Sequence, residues 1–346
     1  MKTEIFKADS PLEGILNVSR AGELLAEGKT VVFPTETVYG LGANALDETA
    51  VKKIFEAKGR PADNPLIVHI GHLEDLDGLV AEVPPKAKLL MDKFWPGPLT
   101  MIMKKTDAVP KVVTAGLDTV AVRFPSDPIA SALIRSAHVP VAAPSANISG
   151  RPSPTKAEHV IEDMMGRVSA IITVENLTDV GLESTVVDMT TEPPTMLRPG
   201  GITVSEIEAE IGKIEVSPNV IENVIPEKAK SPGMKYTHYS PKGDLVIVKG
   251  SDAEKAEKIN KQLRRNEAMH VGILATDETM DNYHSGLIIS LGSRSDPEEM
   301  SRNLFDRLRN FDELGVEKIY AEDIEVGNAT LALVNRLYKA GGYHFI

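Results

Sequence analysis

TVVFPTETVYGLG, residues 30–42, decides how the first half of this chain is read. Val31, Val32 and Phe33 form an apolar, partly β-branched run of the kind that fills a buried strand. Pro34 ends the run, and Thr35, Glu36, Thr37 and Tyr39 follow before Gly40 and Gly42. A strand that empties into a hydroxyl-rich, glycine-ended loop offers a ligand a fixed origin, directional hydrogen bonds and close backbone approach. The plain alternative is a polar turn with a satisfied tyrosine.

On the N-terminal side, Ile15, Val18, Ala21, Leu24 and Leu25 recur at helical spacing, with Gly28 placed to end the helix. Gly28-Lys29-Thr30 imitates the end of a phosphate-binding P-loop. The preceding glycine, Gly22, is one residue too far away, and the order runs from helix into strand instead of strand into helix, so the motif is rejected. On the C-terminal side, Asp47 is placed to cap a helix whose Val51, Ile54 and Phe55 face inward. That helix ends at Lys58-Gly59-Arg60-Pro61, and a strand at 65–70 carrying His69 follows. Two cations at a helix end either complement the helix dipole or hold an anion; if they serve a site, removing them should cost activity and leave stability nearly unchanged.

A helix at 84–95 leads to strands at 99–104 and 119–124. Arg123 sits among apolar neighbours, and an arginine carried into a buried strand needs an anionic partner, either a structural carboxylate or one on a substrate. A helix at 127–137 and a strand at 139–143 open into Pro144-Ser145-Ala146-Asn147-Ile148-Ser149-Gly150. Ser145 is outside any G-x-S-x-G context and no His/Asp pair is spaced around it, so Ser145 and Asn147 read as hydrogen-bonding groups rather than a nucleophile and its neighbour. After a helix at 155–165, strands at 170–174, 183–189 and 195–197 predict a second half more antiparallel than the first.

At 346 residues the chain is long for one core, which predicts two domains. Its 42% hydrophobic and 25% charged content is ordinary for a globular protein, and the net charge of −12, shared by both halves, argues against a basic nucleic-acid module. The absence of cysteine excludes disulfides, cysteine-zinc sites and thiol catalysis. The eight histidines show no metal-ligand spacing, so no metal held by the protein is expected. No secretory core and no run near ~18 apolar residues is present, so the expectation is a cytoplasmic protein without a membrane partner. The domains are read as 1–212, a proline-marked linker at 213–243, and 244–346. The last follows a clean β-α-β pattern with no G-x-G-x-x-G after its first strand, which predicts a small open sheet without a dinucleotide fingerprint.

PTETVYGLG, KGRP at 58–61, NPL at 64–66, PGPLT at 96–100, VAVRFP at 120–125, PSANISG at 144–150, ESTVVD at 183–188 and LRPG at 197–200 together resemble the YrdC-domain family. With SPGMKYTHYSP at 231–241 and the trailing domain, the chain is similar to the longer, two-domain threonylcarbamoyl-AMP synthases. The resemblance covers essentially the whole chain. It implies an α/β fold: a large YrdC-like domain with a mixed twisted sheet and helices, a linker, and a small Rossmann-like domain. The tyrosines and histidine of the linker, with the need to keep a reactive adenylate from water, predict that it folds over the active site.

The implied reaction converts L-threonine, bicarbonate or CO2, and ATP to L-threonylcarbamoyladenylate and pyrophosphate, toward threonylcarbamoyladenosine in tRNA. Carried over by position, Thr37, His69, Arg123 and Ser184 fall where the family holds threonine. Lys58, Arg60, Asn64, Thr119, Ser145, Asn147, Ser153, Arg198 and His238 fall where it holds ATP, with Lys58 and Arg60 as the catalytic pair. Mg2+ is implied with ATP, and tRNA or the downstream threonylcarbamoyl transferase as candidate macromolecular partners. Two other readings are an RNA-binding module, which the acidic balance disfavours, and a carbamoyl-adenylate handling domain, whose usual cysteine-rich companions this chain lacks.

Overall fold

The computed structural model describes residues 2–9, 11–175, 178–222, 224, 230, 239–265 and 269–346, with the side chains of 11–13 excepted. The chain divides into two compact units, Met1–Ser149 with Ser153–Lys235, and Gly150–Pro152 with Tyr236–Ile346.

In the first unit the elements run β1 (Glu4–Lys7), α1 (Pro11–Ala26), β2 (Val31–Phe33), β3 (Gly40–Asn44), α2 (Glu48–Lys58), β4 (Ile67–His69), α3 (Pro85–Phe94), β5 (Leu99–Lys104) and β6 (Thr119–Arg123). They continue with α4 (Pro128–Ala137), β7 (Val141–Ala142), α5 (Ala157–Met164), β8 (Ala170–Thr173), β9 (Thr185–Asp188), β10 (Thr195–Arg198), α6 (Val204–Ile211) and β11 (Glu215–Val216). One mixed sheet joins the described strands in the order β1-β8-β2-β3-β7-β4-β6-β5-β9-β10-β11.

Strands alternate their side chains between two faces, and the two faces are closed differently. On one, Val68, Val122, Met101 and Val187 pack with residues of α2, α3, α5 and α6 in the largest core. On the other, Val31, Phe33, Ala170 and Ile172 pack with Leu24, Leu25, Leu133 and Ile134 of α1 and α4. Further along that second face, Ile67, Ala121, Ile102, Val186 and Leu197 form a small cluster to which no helix residue contributes among the described residues. The candidate site adjoins this cluster.

Local chemistry sets the element ends that matter. Asp47 accepts from the amides of Thr49 (2.8 Å) and Ala50 (3.2 Å), satisfying the first turn of α2. Gly59 ends that helix at φ 62, a left-handed conformation that glycine adopts without a Cβ clash. The chain therefore turns sharply just after Lys58.

Three features depart from the sequence reading. β8 lies between β1 and β2 and is parallel to both, whereas β2-β3, β3-β7, β4-β7 and β5-β6 are antiparallel, so the expected concentration of antiparallel pairing in the second half is not found. The short connection from β2 to β3 permits only a reversal, while β8 is reached through a long excursion that leaves its direction free. β1 answers no sequence-read strand. Within the stretch read as linker, Glu215–Val216 pairs in parallel with β10.

The second unit contains β12 (Asp244–Val248), α7 (Asp252–Arg265), β13 (Val271–Ala275), β14 (Leu287–Ser290), α8 (Pro297–Glu313), β15 (Lys318–Glu322) and α9 (Leu331–Ala340). Its strands are all parallel, in the order β12-β15-β13-β14. α7 covers one face through Ile259 and Leu263, which pack with Val246, Val248, Ile273 and Tyr320. α8 and α9 pack together on the other, where Phe311 closes over Gly272 and Gly341 meets Leu245. A Cβ on Gly272 would stand 2.5 Å from the Phe311 ring, so the bare backbone is what lets α8 sit there.

Candidate active site

His69 and Arg123 are register partners on the parallel strands β4 and β6, and Thr100 of β5 pairs with Arg123 from the other side. Strand alternation puts all three on the face that carries Ile67, Ala121 and Ile102, so a short polar row borders a small apolar floor. Ser184, immediately before β9, extends the row: its hydroxyl lies 2.8 Å from Thr100 Oγ1. Arg198, the last residue of β10, donates Nε to the Ser184 carbonyl (3.0 Å) and Nη2 to its Oγ (3.1 Å).

The loop after β2 reaches the same row. Glu36 Oε1 stands 2.8 Å from Arg123 Nη2, with the two side chains 7% and 5% exposed. The approach is close but not aligned as a hydrogen bond, and Arg123 Nε is a buried donor without a hydrogen-bond partner among the described residues. Burial, the largest single influence, pushes the Glu36 carboxyl upward, yet the Arg123 guanidinium and the backbone amides of Glu36 and Ser126 together outweigh it and the net direction is down. The structural carboxylate foreseen as one possible partner for Arg123 is thus Glu36, which the sequence reading had left among the loop's polar residues.

Thr37 is fully buried. Thr35 spends its hydroxyl proton on the Val38 carbonyl (2.6 Å), so in the 2.8 Å contact between the two threonines Thr37 donates and keeps its own lone pairs. His69 Nδ1 lies 3.2 Å from the Ile67 carbonyl, an acceptor only, which makes Nδ1 the protonated nitrogen of the neutral ring. Burial first, and the Arg123 charge second, hold its pKa down to about 3, so the ring is neutral at pH 7 and Nε2 is left as an acceptor.

A second group forms around the end of α2. Lys58 is buried and its Nζ donates to the backbone carbonyls of Ser145 (2.5 Å) and Asn147 (2.7 Å), with Asn147 Oδ1 3.5 Å away. Ser145 Oγ donates to Asn147 Oδ1 at 2.6 Å, and the Ser149 amide returns to the Lys58 carbonyl at 3.1 Å. Burial, followed by the nearby positive charge of Arg60, pushes the Lys58 ammonium down to about 7. Asn64 is completely buried, and Ser153 donates its hydroxyl to Glu183.

The opening loop joins the two groups. Its Glu36 side chain meets Arg123 while the Glu36 carbonyl accepts from Val180 (2.8 Å), and Tyr39 accepts from the Ala146 amide (2.8 Å) beside a bridge between Gly40 and Ser145. Thr119 stands apart: it opens β6 opposite Lys104, at the far end of that strand from Arg123. His238, with most of the segment read as a cover, lies outside the described residues. Glu36, Thr100 and Glu183 were not singled out from sequence. Only the need of Arg123 for an anion pointed toward the first.

A family model described as telomere recombination matches residues 23–200, and one described as threonylcarbamoyl-AMP synthase, C-terminal domain, matches residues 202–342. The chain belongs to the threonylcarbamoyl-AMP synthase family. Threonylcarbamoyl-AMP synthases of Pyrococcus abyssi and Bacillus subtilis are each 49% identical to it over 94% of its length, covering 94% and 93% of their own chains. The crystal structure of Pyrococcus abyssi Sua5 complexed with L-threonine superposes with a TM-score of 0.92 at 47% identity, covering 99% of both chains. As a member of this family the chain is an enzyme that forms L-threonylcarbamoyladenylate from L-threonine, bicarbonate or CO2, and ATP with release of pyrophosphate, for threonylcarbamoyladenosine modification of tRNA. No helix of the described residues is long and apolar enough to cross a membrane.

Proposed function

We propose that the two side-chain groups divide the synthase reaction between them, threonine against the Arg123 row and the triphosphate against the Lys58 group. The observation that carries this reading is the loop after β2, which touches Arg123 through Glu36 and the Ser145 backbone through Gly40. A substrate amine held at one group and an α-phosphate held at the other would then meet across a single loop.

In this reading Arg123 takes the threonine carboxylate, using the buried donor that no protein group satisfies among the described residues. Thr37, Ser184 and the neutral His69 supply hydrogen bonds to the hydroxyl and amine. The amine adds to CO2, forming an N–C bond and releasing a proton. A carbamate oxygen then attacks the α-phosphorus of ATP, and the bond to the β-phosphate oxygen breaks as pyrophosphate leaves. Two anions have to approach one another, so the Lys58, Arg60 and Arg198 charges act by bringing them together and by stabilising the charge that develops in flight.

Asn64, Ser145, Asn147 and Ser153 serve as hydrogen-bonding groups for the nucleotide. Thr119, at the far end of β6 from Arg123, and His238 join that set through the family resemblance alone. Mg2+ bound with the triphosphate would supply further neutralisation of its charge there. No trio of His, Asp or Glu side chains grouped to hold a metal occurs among the described residues. In this reading the first domain carries the chemistry, and the protein works in the cytoplasm, handing its product to the downstream transferase.

The test is pyrophosphate release from ATP in the presence and absence of L-threonine and bicarbonate. Release that requires both supports the division, and Arg123→Gln should raise the KM for threonine far more than that for ATP, while Arg60→Ala does the reverse. Equal effects of both substitutions on both substrates would overturn it.

A further inference from the structure

The second unit contains a cavity of about 590 Å3 at the carboxyl edge of its parallel sheet, within the size range of small-molecule sites. Its position follows from topology. β12 leads into α7 on one face of the sheet, whereas its neighbour β15 leads into α9 on the other. Where adjacent parallel strands send their connections to opposite faces, a crevice opens between the loops, and this is where open α/β sheets bind ligands. The cavity is lined by Gly250 and Asp252 after β12 and by Asp323–Thr330 residues after β15, with Arg294 entering from the loop after β14.

The charged groups of this cavity are fixed and only partly satisfied. Arg294 forks onto Asp252, Nη1 to Oδ2 at 2.8 Å and Nη2 to Oδ1 at 2.9 Å, and Nη2 also reaches the buried Glu322 at 3.4 Å. One Nη1 donor has no protein partner among the described residues. Lys255 is 6% exposed and makes two contacts, to the Asp323 carbonyl (3.2 Å) and Asp252 Oδ1 (3.2 Å), so a third donor of a deeply buried ammonium has no protein partner among the described residues. On the acidic side, Asp323 accepts from Tyr338 through Oδ1, its Oδ2 has no partner among the described residues, and Glu325 is exposed. Met300, Ile324 and Val326 supply apolar wall.

We propose that this cavity binds a free α-amino acid. Unspent donors on Lys255 and Arg294 match a carboxylate, unspent carboxylate oxygens on Asp323 and Glu325 match an ammonium, and the apolar wall receives the side chain. A nucleotide fits less well. The start of α7 is already occupied by the chain's own anion, Glu254, which accepts from the Ser251 amide at 2.7 Å, and the three lining carboxylates Asp252, Asp323 and Glu325 outnumber the two cations. A zwitterion leaves that balance unchanged, while a phosphate worsens it.

The experiment titrates the full-length chain calorimetrically with each of the twenty standard L-amino acids and with AMP, in wild type, Asp323→Asn, Arg294→Gln and Glu325→Gln. The expected result is that one or more amino acids bind with Kd below about 1 mM, and at least about tenfold more weakly in each variant. If L-threonine is that ligand, it binds at two equivalents per chain in wild type and one in the variants, with pyrophosphate release in its basal assay unchanged. Glu325→Gln alters an exposed side chain and keeps the test open if another variant fails to fold. The proposal is overturned by no amino acid binding beyond one threonine per chain, by binding that all folded variants retain, or by AMP competing for the same equivalent.

Discussion

Arg123 Nη2 stands 2.8 Å from Glu36 Oε1, and both side chains are almost wholly withdrawn from water. Each is the other's counter-charge, so removing one leaves a buried ion. Glu36→Gln is therefore expected to destabilise the fold by about 3–5 kcal/mol. A threonine carboxylate arriving at Arg123 would replace part of what Glu36 supplied, so L-threonine should raise the melting temperature of the variant more than that of the wild type. Melting curves with and without L-threonine decide it; equal shifts in the two proteins would mean that Arg123 does not receive the substrate carboxylate.

His69 gives a pH dependence whose sign is opposite to that of a histidine gaining an anionic partner. Its pKa is held down to about 3 by burial and then by Arg123, while in the unfolded chain it charges near 6.5. Between those values the unfolded state binds the extra proton. Stability from this group is intact above about pH 6.5 and lost as pH falls toward 3, by up to about 1.4 kcal/mol per unit. Asp127 works in the other direction, its carboxyl raised to about 6 by burial, and offsets part of the loss. Urea unfolding at pH 6.5 and 4.5 should show wild type losing roughly 2–3 kcal/mol more than His69→Gln. Parallel losses would remove His69 as the cause.

Much of this was legible because the relevant signals are local. The β-branched run before Pro34, the Asp47 cap and the glycine after Lys58 each follow from chemistry within a few residues, and β2, α2 and its sharp exit stand where that chemistry puts them. What was not legible depends on strand order. Thr100 joins Ser184 and Arg123 only because β5 lies between β6 and β9, and periodicity along one strand carries no record of its neighbours. Arg123 announced a need for an anion but not that Glu36, distant in sequence, would meet it. The same limit hid the parallel pairing of β8, whose period is that of any buried strand.

Substrate selectivity should be modest. Thr37 and Ser184 are buried and held by Thr35 and Thr100, which shapes the wall that a threonine hydroxyl and methyl would meet. Serine keeps the hydroxyl and lacks only the methyl, so its kcat/KM is expected to be roughly 10–200-fold lower. Competition between the two amino acids in the pyrophosphate assay measures the ratio, and parity would remove Thr37 and Ser184 from the pocket.

Lys58 and Arg60 were expected from sequence to serve the site without serving the fold, and for Lys58 the geometry says otherwise. Its ammonium donates to two backbone carbonyls, at Ser145 and Asn147, and so ties that loop to the end of α2. Losing such a donor costs about 1–3 kcal/mol for a buried acceptor, so Lys58→Ala should melt at a lower temperature as well as lose adenylate formation. Arg60 is only half-buried and should lose activity with a smaller change in stability. Activity and melting therefore cannot by themselves separate strap from phosphate ligand at Lys58, but protonation can. An amine pushed down to about 7 is partly neutral at pH 7.5, and a triphosphate beside it favours the charged form, so ATP binding should draw in a fraction of a proton. Calorimetric titration with ATP in buffers of different ionisation enthalpy measures that uptake. Lys58→Met, which keeps the stem and lacks the amine, should bind ATP without it. Equal uptake in the two proteins would assign Lys58 to holding the loop alone.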